Sequence, residues 1–256
     1  MEYVNYSLLE SKKEQLHKEW HSAKPFHYLV FEDFFTPEAA ALILKNYPTI
    51  ETGEWDNTTY INQRNKFSMT KFSNPVIQQA FGELNADKLL KIVEYITGIS
   101  DLVADDKFFG GGLHQSIKGA FLDVHVDFNY HPETKYHRRM NILVYMNPEW
   151  KQDYNGYLEL WDMETKQQLA YVAPLFNRCV IFETNEISFH GHPKPLNTPE
   201  GISRKSLAAY YYTKERPNTE IAQDHNTIYV NTEGTDGLFK NLKSGVKALV
   251  ERVTKK

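Results

Sequence analysis

Between residues 113 and 213 the chain breaks into short extended segments separated by turn residues: 113–117, 121–127, 139–146, 156–162, 168–172, 178–182, 187–190 and 204–213. Each is rich in Val, Ile, Leu, Tyr or Phe, and Gly, Pro, Asn and Asp stand between them. Short strands in such a row favour a double-sheet jelly roll over an open α/β sheet, which would need a helical stretch between strands. At 256 residues and 41% hydrophobic content the chain can bury one substantial core, and all-β barrels of this size are often single domains. The expected organisation is therefore one domain over 1–213, with helical and strand support over 1–107 and the jelly-roll core over 108–213. Residues 214–256 are read as a C-terminal extension.

The support is legible from caps and periodicity. Residues 6–22 follow a charged helical pattern, 26–31 read as a strand, and Thr36-Pro37-Glu38 opens a helix with a capping hydroxyl and a proline in the first turn. Apolar residues recur at helical spacing over 75–97, giving one or two helices against the outside of the sheet. Residues 52–72 are polar and aromatic without clear period and form either a lid or a surface connection. The run 108–112 holds three glycines but lacks the Lys-Ser/Thr of a phosphate loop, so it reads as a turn. Residues 236–255 form an amphipathic pattern that would dock on the barrel or on a second subunit, which leaves a homodimer open.

The chemistry centres on His125-Val126-Asp127. Two residues apart on a strand, an imidazole and a carboxylate share a face and can share a metal. A second imidazole comes from the run Phe189-His190-Gly191-His192-Pro193, and Arg204-Lys205-Ser206 then opens an apolar and aromatic strand. Two histidines and a carboxylate make the facial triad that suits Fe(II) and leaves coordination positions open, whereas a structural zinc site would more often use thiolates. The chain has one cysteine, Cys179, in an apolar run that marks it as core.

This ordered set resembles the Fe(II)/2-oxoglutarate-dependent dioxygenases, and within them the prolyl 4-hydroxylase-like branch, over residues 108–213. The resemblance rests on His125-x-Asp127, the strand 141–150, Gly156-Tyr157-Leu158-Glu159-Leu160, Pro174 with 178–182, and the His190 and Arg204 segments in that order. It implies a double-stranded β-helix of the cupin-like kind, with Fe(II) and 2-oxoglutarate as cofactors, O2 as co-reactant and ascorbate as an optional addition. The family places its distal ligand after an apolar or aromatic lead-in such as Ile187-Ser188-Phe189. That favours His190 as third ligand with His125 and Asp127, and leaves His192 to contact the substrate or support the site.

The resemblance also assigns the cosubstrate contacts. Arg204 stands where the family anchors the distal carboxylate, a task suited to a guanidinium fork. Ser206 shares its face, Tyr145 aligns with a family tyrosine reaching the same carboxylate, and Asn141 lies on the face of Tyr145. Leu158 matches an apolar residue against the cosubstrate chain, and Gln115 falls where prolyl hydroxylases have a tyrosine. For substrate, Asp123 would point inward beside His125 to meet a polar or cationic group. Arg138, Arg139, His131 and Tyr136 occupy the loop after the ligand pair, with Arg139 carried as a substrate contact.

The implied reaction converts 2-oxoglutarate and O2 to succinate and CO2 while hydroxylating an unactivated C–H bond. The presence of Asp127 favours hydroxylation over halogenation. Substrate classes are a peptidyl proline or a small molecule such as an amino acid, a sugar or a natural-product intermediate. The alternative class is a non-catalytic jelly-roll module that binds 2-oxoglutarate or another ligand; a zinc hydrolase, which would not need Arg204, is third. The net charge of −4 and pI near 6.2 give no basic footprint for nucleic acid. No stretch reaches membrane-span length, and the charged first twenty residues lack a signal core, so a cytoplasmic enzyme without a membrane partner is expected.

Overall fold

The computed structural model describes residues 1–57, 59–230 and 232. In chain order the elements are α1 (Tyr6–Ser22), β1 (Tyr28–Phe31), α2 (Pro37–Lys45), β2 (Asp56–Asn57), β3 (Gln63–Met69), α3 (Pro75–Leu84), α4 (Asp87–Thr97), β4 (Val103–Ala104) and β5 (Gly112–Val126). There follow β6 (His137–Tyr145), β7 (Leu158–Asp162), β8 (Gln167–Val172), β9 (Cys179–Glu183), β10 (Phe189–His192), β11 (Arg204–Thr213) and β12 (Ile228–Tyr229). The helix at 236–255 expected from periodicity lies outside the described residues.

The helices start where local chemistry predicts. Asn5, Thr36 and Asn74 accept backbone N–H bonds at the first turns of α1, α2 and α3, satisfying donors that a helix start leaves open, and Pro37 and Pro75 occupy positions needing no N–H. Gly98 ends α4 in the left-handed conformation. The stretch 75–97 is two helices rather than one.

The strands run in the order β1-β9-β6-β11-β5-β10-β7-β8, each neighbouring pair antiparallel, and form the jelly-roll core. Alternation divides each strand between two environments. Met140, Ile142, Val144, Cys179, Ile181, Leu207 and Ala209 face the helices in the larger apolar cluster, while Tyr145, Leu158, Leu160, Val180 and Phe182 form a smaller one. Burial drives the Cys179 thiol pKa well up, which agrees with a core cysteine.

Two features depart from the sequence reading. The segments 113–117 and 121–127 are one long strand, β5, that turns at Gly119 (φ 76°) and reaches both halves of the sheet. The polar stretch 52–72 contains β3, which pairs with β5 from Gln63 to Met69 and is therefore part of the sheet. At the start of β5, Gly112 (φ 87°) comes so close to β3 that a Cβ would lie 2.2 Å from the Met69 carbonyl oxygen. Past the barrel, the described part of the extension returns to the sheet, with Ile228 and Tyr229 of β12 opposite Val126 and His125.

Candidate functional site

His125 near the end of β5 lies directly opposite His190 of β10, and Asp127 follows β5 by one residue. Ligand atoms of these three residues all fall within 4.8 Å of one another. Each histidine is oriented by a backbone carbonyl 2.8 Å from its Nδ1, that of Asp123 for His125 and that of Ser188 for His190. With Nδ1–H donating, each Nε2 is left as the lone-pair nitrogen, and these face Asp127 at 3.6 Å from Oδ1 and 3.5 Å from Oδ2. Burial, then the neighbouring His125, push the His190 pKa down to about 4 against the pull of Asp127, so its imidazole is neutral.

The Asp127 carboxylate is held from behind. Burial opposes its charge, but the Arg138 guanidinium, 3.0 Å from Oδ2, holds its pKa well below the usual carboxylate range. Asn141 donates to the same oxygen at 2.7 Å and accepts from Arg138 Nε and Nη2, so its amide spans the ion pair. The Arg138 guanidinium stacks 4.3 Å from the Phe128 ring centre and 3.6 Å from that of Tyr210.

A bulge explains why Arg138 escapes a reading by parity. Tyr211 pairs with Met140 and Tyr212 with Arg138, so one residue of β6 is extra. Strict alternation would put Arg139 on the face of Asn141 and Arg138 with Met140; the bulge exchanges them. Arg139, expected to contact substrate, instead pairs with Glu220 Oε2 at 3.2 Å and does not line the metal-ligand cavity.

On the other side of the ligands a narrow cavity is lined by Arg204, Ser206, Ser116, Leu158, His192 and Asn141, among others. Arg204 donates from Nε to the Gly156 carbonyl at 2.7 Å and from Nη2 to Tyr145 Oη at 3.0 Å, and lies over the Tyr145 ring. These contacts fix the fork and leave Nη1 for a ligand. His114 and His192 also line the cavity, and His114 Nε2 and His192 Nδ1 are buried without a partner among the described residues. Burial, followed by the fields of Lys66 and Arg204, holds both imidazoles neutral. Unpaired polar atoms beside two cations are the environment an anionic ligand would complete.

Gln115 lies elsewhere: its side chain points to the opposite face of β5, donating to Ser203 Oγ at 2.8 Å, while His114 and Ser116 on either side line the cavity. The position aligned with the family tyrosine thus faces away from the cavity, with its neighbours on the cavity side. Asp123 is buried near His125 and accepts from Asn62 Nδ2 at 3.1 Å. Of the expected loop, His131 accepts backbone N–H bonds from Glu133 and Thr134, and so braces its own turn.

Sequence reasoning passed over two further residues. Tyr229 of β12 packs with its ring 5.3 Å from that of His125 and shares a 2.8 Å hydroxyl hydrogen bond with Tyr60. Lys66 of β3 lines the cavity, and although its surface is only half-buried, the dense surroundings push its ammonium down to about 8, with Arg204 and Arg138 adding to the fall and Asp127 opposing it. Neither carried a signal, because both lie in segments without strand periodicity.

Residues 111–212 match the family described as the 2OG-Fe(II) oxygenase superfamily. Most of the jelly roll and the His125–Asp127–His190 cluster fall within this matched stretch. Its fold is that of the prolyl 4-hydroxylases: a Pseudomonas putida prolyl-4-hydroxylase superposes with TM-score 0.58 at 14% identity, over 81% of this chain and 100% of that one. A Trichoplax adhaerens prolyl hydroxylase, solved with a hypoxia inducible factor peptide fragment, gives TM-score 0.59 at 14% identity over 82% and 94%. In sequence, mouse prolyl 3-hydroxylase OGFOD1 is 32% identical over 108 residues, and its Xenopus laevis counterpart 30% over 86. Those matches span 36% and 31% of this chain, which covers only 19% and 16% of the two relatives.

Proposed function

We propose that the chain is an Fe(II)- and 2-oxoglutarate-dependent hydroxylase whose substrate is a prolyl residue of a peptide or protein. The observation that carries the reaction is the buried set His125, Asp127 and His190, with both Nε2 atoms turned to the Asp127 carboxylate and an anchored Arg204 in the adjoining cavity. The OGFOD1 relatives and the prolyl hydroxylase fold support the substrate class.

The three ligands would hold Fe(II), and Arg204, Tyr145 and Ser206 would meet the distal carboxylate of 2-oxoglutarate. When bound, Fe(II) and 2-oxoglutarate would supply the oxidative chemistry, in which one oxygen atom of O2 goes to succinate as CO2 is lost and the other hydroxylates a C–H bond. The protein supplies the rest. Arg138 and Asn141 keep Asp127 ionised and orient it, the Asp123 and Ser188 carbonyls fix the imidazole tautomers, and Leu158 and Phe182 give the cavity apolar walls. Among the described residues no helix is long and apolar enough to cross a membrane. A reducing, cytoplasmic setting is supported by the single buried thiol.

The test is an anaerobic titration with Fe(II) and then 2-oxoglutarate, following the visible charge-transfer band of a chelated keto acid, and then aerobic turnover with proline peptides read as succinate and a gain of one oxygen. A band present in the wild type and lost in Asp127→Ala, with oxidised peptide, is the expected result. No band in folded protein would overturn the oxygenase reading; a band with turnover on amino acids or sugars but no peptide would overturn the prolyl substrate.

A further inference from the structure

Lys66 is a cation that the ligand set, the Asp127 support and the Arg204 anchor leave unexplained. Its strand pairs with β5 so that Lys66 lies opposite Ser116, and on the other side of β5 Arg204 lies opposite the same serine. Residues directly opposite in antiparallel pairs project to the same face, so Lys66, Ser116 and Arg204 form one row across three strands, and all three line the cavity. Neighbouring strands lie about 4.8 Å apart, which sets the backbones of Lys66 and Arg204 roughly 10 Å from each other. Two long side chains converging from such positions leave room for a small anion between them.

The charges agree with that placement. Asp127 is matched by Arg138. Among the described residues neither Lys66 nor Arg204 has a carboxylate within ion-pair distance, and the Arg204 contacts are a carbonyl and a phenol. Two cations lining one cavity without an ion-pair partner leave a positive site that an anion would complete. We propose that Lys66 is a second anchor for the distal carboxylate of 2-oxoglutarate, gripping it from the side of Ser116 opposite Arg204. Lys66 is thus a positioning and specificity residue that favours dicarboxylic over monocarboxylic keto acids. This rests on the oxygenase reading above.

The experiment is calorimetry on Mn(II)-loaded protein with 2-oxoglutarate and, separately, 2-oxobutyrate, which keeps the chelating keto acid but lacks the distal carboxylate. Loss of one charge-assisted contact in Lys66→Met should weaken 2-oxoglutarate about 10- to 100-fold. Binding of 2-oxobutyrate should not change, Mn(II) uptake should not weaken, and Lys66→Arg should recover part of the loss. Equal weakening of both keto acids, or no change in either, would overturn the proposal. Wild-type protein that takes up Mn(II) but neither keto acid would instead overturn the oxygenase reading, and the proposal with it.

Discussion

Replacing Arg138 by methionine tests how the carboxylate ligand is held, because it keeps much of the side chain's length and removes its charge. Arg138 is 1% exposed, its guanidinium lies 3.0 Å from Asp127 Oδ2 and 2.7 Å from Asn141 Oδ1, and it stacks on two rings. Breaking a buried pair by removing one partner costs about 3–5 kcal/mol, since the other charge remains enclosed. In a domain of this size 1 kcal/mol moves the melting temperature by about 2–4 °C, so the metal-free variant should melt roughly 6–20 °C below wild type. A divalent cation at Asp127 would supply the missing counter-charge. Saturating Mn(II) should therefore raise the melting temperature of Arg138→Met more than that of wild type, in a calorimetric scan with chelator and with metal. A fall of less than about 2 °C without metal, or equal stabilisation of both proteins by Mn(II), would refute an electrostatic role for Arg138.

Two other substitutions probe the strand that carries the distal histidine. His190→Ala should abolish Mn(II) uptake, while His192→Ala should retain one equivalent, measured by equilibrium dialysis; the reverse pattern would make His192 the ligand. Gly191→Ala would put a Cβ 2.9 Å from the carbonyl oxygens of both Leu122 and Asp123. Backbone cannot yield as a side chain can, and the Asp123 carbonyl also orients His125. The variant should lose about 1–3 kcal/mol of stability and about 10- to 100-fold in metal affinity, read from melting and dialysis; unchanged metal affinity would show that the Asp123 carbonyl does not set the His125 geometry.

What could be read from the sequence follows the apolar surface. α1 and β11 occupy the expected residues, and α2 begins after the expected cap, because the caps and apolar faces of these elements are local signals. β3 gave no such signal: Met69 joins the larger apolar cluster, but Lys66, which lines the polar cavity, stands where alternation would call for an apolar residue. A bulge that no spacing rule reveals turns Arg138, rather than Arg139, to the face of Asn141. Gln115 and its neighbours show the same sensitivity, since a register error of one residue turns a cavity-lining side chain into one on the reverse face. His190 and His192 were equivalent by parity, and the register shift between them, with His190 opposite His125 and His192 opposite Leu122, separates them.

The Asp127 carboxylate divides its two oxygens between different tasks. Oδ2 takes the donors of both Arg138 and Asn141 and also stands 3.5 Å from His190 Nε2, while Oδ1 faces His125 Nε2. The charge on this ligand is thus kept in place by an arginine and an amide that would not themselves touch an ion held by His125, Asp127 and His190. In this fold, readiness to take up a cation is a property of the hydrogen bonds behind the ligand.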